Sequence, residues 1–464
     1  MAQSVSTRRV NVANRLDRLP ITSKHRLVVA ALALAYFFDL GDISTFAYSA
    51  PQLIKVWHFS VSTVAFITST TFCGMFIGAI ISGWLTDRIG RKRGLLLTIS
   101  FYSFFSLLNA IAWDPISLGL FRLLTGVGLA SMIVVANTYI SEFFPARSRG
   151  TFQGWAMVVG EIGIPATALF ARFVIPLGNW GWRLVFVWGA LGLLALLLVR
   201  RIEESPRWYE THGYTDEAEE VMSRLEAAAT AEKGELAPAQ PAVPQPVVRS
   251  VPYRELFQGK YRGRILMLVA VWVFQVLGYY GFQAWLPLLL AKHGFSLTDA
   301  LTFSTAIALG APFGALLGTF ISDRIDRKWS LTLNAIVIAA FSLLFGASSL
   351  PTLIVVFGFL AALFNTCIGP LIYSYTPEVF PTEARASGVG FTYGAGRLAN
   401  VIGPFIIGFL LISYGFSGVF LYIAATWLIV AVSVGLFGPL TTRRSLESIS
   451  ESELREPAVV VAEV

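Results

Sequence analysis

The sequence predicts an all-α membrane protein with twelve transmembrane helices, arranged as two pseudo-symmetric six-helix bundles around a central cavity. Three observations predict it. Of 464 residues, 55% are hydrophobic and 14% charged, against about 25% charged in ordinary soluble domains, and the mean hydropathy is +0.66. Crossing a hydrocarbon core of about 30 Å takes roughly 20 apolar helical residues, since every backbone amide must be satisfied within the segment, and twelve stretches meet that requirement. The second half of the chain also repeats the first at a fixed offset.

In order, spans near 27–50, 60–85, 94–112, 116–140, 151–175 and 182–200 form a first bundle, 27–200. Spans near 264–290, 299–321, 330–349, 352–375, 386–412 and 416–437 form a second, 264–437. An outer-membrane barrel would instead show alternating segments of about ten residues. Residues 1–26 form a polar, basic tail, and the apolar run after them is too long for a cleaved signal peptide. Residues 201–263 differ in kind: RRIEESPRWYETHGYTDEAEEVMSRLEAAA reads as short amphipathic helix and APAQPAVPQPVV as a flexible linker. They form a cytoplasmic connector without a catalytic constellation, and 438–464 form a second cytoplasmic tail.

The net charge of +7 follows the membrane rather than a nucleic acid. With the N-terminus inside, the tail cations, Arg88, Arg91, Lys92, Arg93, Arg147, Arg149, Arg324, Arg327, Lys328 and Arg385 share one side. Only Lys55, Arg172, Arg183 and Lys292 fall on the other. This positive-inside asymmetry puts both termini in the cytoplasm of a multi-pass inner-membrane protein, its basic loops meeting anionic lipid. Cys73 and Cys367 lie within spans and make no disulfide or thiolate framework. His25, His58, His212 and His293 are read in tails or loops, so no histidine pair forms a metal centre. No cofactor is expected.

The repeat has an offset of 236 residues without a gap from the first span through the fifth. Pro51 matches Pro287, Gly78 matches Gly314, Asp87-Arg88 matches Asp323-Arg324, Glu142 matches Glu378, Phe144-Pro145 matches Phe380-Pro381, Arg149 matches Arg385, and Gly154 matches Gly390. Parallel repeats of this kind place a solute site near the midplane between halves that rock to give alternating access. Each chain would hold a whole pathway, so a monomer is expected.

After the second span, GWLTDRIGRKRG supplies a small residue for close helix approach, an acid at a helix end and a basic cluster on the cytoplasmic side. It resembles the signature loop of the major facilitator superfamily. The second copy, TFISDRIDRKWS, has Asp326 in place of the loop glycine and Trp329 in place of the last basic residue. The resemblance implies a cytoplasmic gate at Asp87, Arg88, Arg91, Asp323 and Arg324. SEFFPARSRG and TPEVFPTEARASG set Glu142 and Arg149, and Glu378 and Arg385, seven apart; ESPRW adds Glu204 and Arg207. Together these resemble the sugar-porter branch and its organic-solute relatives, whose charges close the inner side. The alternative is a set of static, solvated loop charges, each pair worth about 0–1 kcal/mol.

Sugar porters carry a double glutamine, then glycine and asparagine, in the seventh span. FQVLGYYGFQAWLP keeps Gln275 and Gly278 but has Tyr280 at the asparagine position. That segment is closer in look to niacin and aromatic-acid porters, which implies Tyr279, Tyr280, Gln283 and Trp285 as contacts for a planar solute, against packing or an interfacial belt.

Five charges remain inside the spans: Asp39, Asp42, Arg122, Glu161 and Arg397. Each costs at least roughly 2.5–3.5 kcal/mol at a helix centre if unpaired, so such residues pair, line water or serve transport. Asp39 and Asp42 lie three apart in YFFDLGDIST and project within about 60° of one another. Arg122 opens RLLTGVG, resembling the superfamily's fourth-span arginine motif. Proton-coupled relatives pair that arginine with a first-span acid, here Asp39 or Asp42, with a slight preference for Asp39. Glu161 plus 236 is Arg397, so the repeat sets an acid and a base at equivalent points. A carboxylate solute would compete with Glu161 for the arginine fork, unless the two form a permanent structural pair. Asn400, one turn beyond, shares that face.

These features predict a secondary transporter taking a small organic or heteroaromatic acid, niacin-like or benzoate-like, together with protons. A sugar or polyol symporter is the alternative, and a non-transporting solute sensor a further one. An enzyme is disfavoured because no nucleophile, metal set or acid pair is placed for catalysis, and no GxxxxGK[ST] loop supports an ATPase-driven pump.

Overall fold

The computed structural model describes residues 12–238, 253–258, 261–322 and 324–441. Ten helices among them are long and apolar enough to cross a membrane. The less apolar Arg91–Ala110 helix is an eleventh. The twelfth crossing lies within Thr382–Phe437, whose 56 residues would run about 84 Å as one rod at 1.5 Å each. This helix breaks at Gly415, with φ of 67°, a conformation glycine takes without a Cβ penalty, between the two spans expected there.

Local chemistry sets several boundaries. Asp114 and Ser117 form a reciprocal capping box ahead of Pro115, opening Pro115–Phe143. Three spans that hydropathy reads as continuous are interrupted. The sixth is Gly181–Ala190, then a 3-10 segment and Leu196–Val199. The seventh stops at Gln283 and resumes as Leu286–Lys292, with Pro287 in its first turn. The eighth divides into Leu297–Ala308 and Gly310–Ser322. Hydropathy reports a crossing and is blind to local rewinding. His25 also departs from expectation. It lies in the first turn of Ser23–Trp57, buried against Phe143 and Phe144, with Nδ1 2.9 Å from Thr22 Oγ1.

Contacts group the chain into two compact units. Among the described residues, one gathers 12–43, 74–163 and 186–238, the other 44–73, 164–185 and those from 253 to 441. Within each, the 236-residue repeat recurs as packing. A Cβ on Gly74 would lie 1.9 Å from the Leu123 carbonyl oxygen, and one on Gly78 2.1 Å from that of Val127. In the second unit a Cβ on Gly310 would lie 2.5 Å from the Phe359 carbonyl oxygen, and one on Gly314 2.0 Å from that of Leu363, each pair displaced by 236. Gly160 approaches Tyr36 just as Gly396 approaches Trp272. Small residues thus bring helix backbones together where lipid supplies no hydrophobic drive.

The described first part of the connector, 201–238, is folded, and residues 12–26 hold it. Arg15 on the short Val12–Asp17 helix bonds Glu226 at 2.9 Å and Glu219 on the Thr215–Lys233 helix, and Arg18 bonds Glu226 at 2.7 Å. Ser23 N–H donates to Glu232 at 3.0 Å. Hydrogen bonds from Arg15 hold the Glu219 carboxyl below its ordinary range. A depressed carboxyl contributes stability above its unfolded pKa and loses it as pH falls through the folded one. Arg15→Ala is therefore expected to speed amide exchange across 215–233 roughly fivefold at pH 7, about 1 kcal/mol, with wild type converging on the variant below about pH 4. Exchange measured by mass spectrometry at both pH values checks this.

Candidate functional site

The first unit holds a buried ion pair. Asp39, Asp42 and Arg122 are all fully buried. The pairing falls on Asp42: its Oδ1 lies 3.7 Å from Arg122 Nη1 and accepts from Ser106 Oγ at 2.9 Å. The three-residue spacing puts both acids inside. Gly189 makes the room, since a Cβ there would sit 2.2 Å from Asp42 Oδ1. The Phe186 ring lies 5.9 Å from the Arg122 guanidinium carbon. Two charges placed so can exchange a proton for an ion pair: neutralising Asp42 releases the arginine, and ionising it restores the attraction. Glu161, on Arg149–Val174, is 7% exposed, and its Oε2 has no hydrogen-bond partner among the described residues.

The second unit holds an aromatic–cationic site. Arg397 Nη2 donates to Tyr393 Oη at 2.6 Å, with the guanidinium carbon 5.0 Å from the Tyr393 ring. Tyr373 Oη lies 3.1 Å from Tyr393 Oη, and Trp272 packs on both rings with centroids at 5.3 and 4.9 Å. Tyr373 is 55% exposed. Among the described residues the fork donates one N–H to Tyr393, and a guanidinium carries further N–H donors suited to an anion.

One turn on, a narrow cleft of about 10 Å³ is lined by Tyr280, Trp285 and Asn400, with Phe72, Gly403 and Ile407. Phe72 and Tyr280 meet edge to face at 4.8 Å. Three of the expected solute residues are thus brought together. Tyr279 meets Tyr280 edge to face at 4.9 Å and accepts through its carbonyl from Asn365 at 3.5 Å. Gln283 ends the Arg262–Gln283 helix outside the cleft lining.

At the helix ends in the first unit, Arg91 forks onto Glu142 at 2.8 and 2.9 Å and meets Asp87 at 2.9 Å. Glu204 accepts from the backbone N–H groups of Arg91 and Lys92 at 2.8 and 2.9 Å, placing its charge at the positive end of Arg91–Ala110. Gly90, with φ of 94°, leaves the space Glu204 fills. Asp326, at Gly90's equivalent position, caps its own helix through Lys328 N–H at 2.9 Å. That explains the sequence difference: an internal cap replaces a borrowed one. Glu378 pairs with Arg327 at 2.6 Å, repeating Arg91–Glu142 at the same offset. The seven-residue spacings do not form pairs. Arg149 instead bonds the Phe144 carbonyl at 2.8 Å and approaches Asp17 at 3.7 Å, while Arg385 bonds the Pro377 carbonyl at 3.1 Å. Arg207 also approaches Asp17, at 3.9 Å. Arg88 lies over Trp84 at 4.2 Å and Arg324 over Phe320 at 5.6 Å. Asp323 lies outside the described residues.

Ser106, Gly189, Phe72, Trp272, Tyr373, Tyr393 and Asp17 were missed by sequence reasoning. The repeat carried a signal for part of this: Tyr36 bonds Asn137 at 2.6 Å, and adding 236 to each gives Trp272 and Tyr373. The others come from distant helices and leave no local pattern.

Comparison with known proteins adds to this geometry. The family model described as "Sugar (and other) transporter" matches residues 26–452. The putative metabolite transport protein YyaJ of Bacillus subtilis (strain 168) is 44% identical, covering 94% of this chain and 97% of its own. The niacin transporter NiaP of Acinetobacter baylyi is 31% identical over 95% of this chain and 100% of its own. Among solved structures, a D-xylose-proton symporter aligns with a TM-score of 0.72 at 19% identity, over 91% of this chain and 100% of that one.

Proposed function

The chain belongs to the sugar (and other) transporter family, within the major facilitator superfamily, and from that premise we propose proton-coupled alternating-access uptake of a small organic acid bearing an aromatic ring. The observation that carries this is Arg397 bonded to Tyr393 and set beside Tyr373 and Trp272. A guanidinium fork binds a carboxylate, and flanking rings suit a planar body. Relatives named as niacin and gallate transporters agree in chemistry. Asp42 with Arg122 is the coupling pair, Asp39 its buried neighbour, and the Arg91–Glu142 and Arg327–Glu378 pairs are cytoplasmic gate contacts. The protein works as a monomer in the inner membrane with both termini in the cytoplasm.

The test is uptake of radiolabelled nicotinate, benzoate and glucose into proteoliposomes with an imposed proton gradient. The acids are expected to accumulate, and a protonophore to abolish accumulation. Accumulation that survives the protonophore overturns proton coupling. Glucose accumulation in place of the acids establishes the sugar-porter alternative, and binding without uptake establishes a sensor.

A further inference from the structure

The 236-residue offset also relates contacts that cross from one repeat to the other. Arg172, in the last turn of Arg149–Val174, donates through Nε to Thr302 Oγ1 at 2.6 Å on the Leu297–Ala308 helix. Thr302 gives its own proton to the Thr298 carbonyl at 2.7 Å, which turns a lone pair to the guanidinium. The offset carries Arg172 to Gly408, and carries Leu301 and Thr302 back to Ala65 and Phe66. Those positions meet as well. A Cβ on Gly408 would lie 3.3 Å from Ala65 Cβ and 3.8 Å from Val61 Cγ1, and Val61 is the equivalent of Leu297. One contact is thus made twice with exchanged partners, the fifth span on the eighth and the eleventh on the second. Around the first crossing Tyr48, Ala168, Ala171, Val174, Val185 and Leu301 form a buried apolar cluster. Beside the second, Ser69 Oγ donates to the Val401 carbonyl. Tyr48 lies about 37 Å along Ser23–Trp57 from its first residue, so this layer sits at the helix ends remote from the N-terminal tail.

The geometry points to these two crossings as an outer gate that is shut in this structure, with Arg172 as the cation that latches it. This rests on the reading that the chain transports by alternating access with both termini inside. When one repeat rocks against the other, contacts within a repeat such as Gly74 on Leu123 are kept. Contacts between repeats at one end must break. An apolar layer closes such a path by excluding water, and the guanidinium–hydroxyl bond adds a directional contact that opening has to give up. Duplication has divided the labour: glycine lets the eleventh and second spans approach closely, while its equivalent, Arg172, reaches across to Thr302.

A reversible lock tests this. Ala65→Cys/Gly408→Cys, built into the full chain with Cys73→Ala and Cys367→Ala, sets two thiols near the roughly 3.5–4.5 Å Cβ separation that a disulfide spans. Oxidation in proteoliposomes is expected to stop uptake of whichever of nicotinate, benzoate and glucose the wild type moves, and a reductant to restore it. Uptake that continues through the formed crosslink overturns the inference, because static packing tolerates a crosslink and a gate does not. A folded pair that does not oxidise overturns it too. The latch is read separately, on Ala65→Cys alone in the same background, by the rate at which a membrane-impermeant maleimide labels it from outside. Arg172→Met and Thr302→Val are each expected to speed labelling about fivefold, and the two together no further, since one hydrogen bond is lost in every case. Unchanged labelling in both variants removes Arg172 as the latch, and labelling from the cytoplasmic face alone overturns the outer assignment. If wild type moves none of the three solutes, the transport reading falls, and the gate with it.

Discussion

Arg397→Ala is expected to abolish saturable uptake of aromatic acids, with KM raised roughly a hundredfold or more and the folded state intact. A charge-assisted hydrogen bond contributes roughly 1.5–3 kcal/mol, and a forked guanidinium–carboxylate contact supplies two. Arg397→Lys is expected to recover little, since an ammonium keeps the charge but loses the planar fork. Tyr393→Phe removes only the hydroxyl that accepts from Arg397 Nη2 at 2.6 Å, and a smaller rise of roughly fivefold in KM follows from one lost orienting bond. Neither arginine variant leaves a buried opposite charge behind, because Arg397's hydrogen-bond partner among the described residues is the neutral Tyr393. The thermal midpoint should therefore stay within a few degrees of wild type in the absence of solute. Uptake kinetics beside that midpoint check the prediction, and unchanged KM in Arg397→Ala would remove the arginine from the solute site.

The twelve-span architecture was legible because its cause is local and cumulative: about twenty apolar residues per crossing, and basic loops on one side. The duplication was legible because one offset aligned loop residues such as Asp87 with Asp323, and it reached deeper than the motifs that first showed it. It also predicts which backbones touch, Gly74 on Leu123 and Gly310 on Phe359. Pairing inside the charge clusters was not legible in this way. Glu142 and Arg149 are close in sequence, but the helix end after Phe143 turns Arg149 to the Phe144 carbonyl, and Glu142 is left to Arg91, 51 residues away. The proposed solute site was half legible. Tyr280, Trp285, Arg397 and Asn400 stood out as polar or aromatic residues in apolar spans. Tyr373 and Tyr393 read as ordinary span aromatics until the fold set them against Arg397 and Trp272.

The second large effect concerns the buried charges. Asp42→Asn leaves the Arg122 cation fully buried without the carboxylate at 3.7 Å, and Arg122→Gln leaves the anion. Removing one member of a buried pair costs roughly 3–5 kcal/mol, whereas replacing both is often near neutral. Each single variant is therefore expected to lower the thermal midpoint by several degrees. The Asp42→Asn/Arg122→Gln double variant should recover most of the loss. Transport should not recover with it. A proton can be carried only by a group that changes charge, so the double variant is expected to fold and to exchange solute down a concentration gradient, yet to accumulate none against it when a proton gradient is imposed. Asp39→Asn separates the two acids: it removes no carboxylate from Arg122's 3.7 Å contact, so gradient-driven accumulation should survive at a reduced rate if Asp42 is the carrier. Full loss in Asp39→Asn with accumulation intact in Asp42→Asn would reverse that assignment. Stability alone cannot mimic either outcome, because exchange and accumulation are measured on the same folded protein.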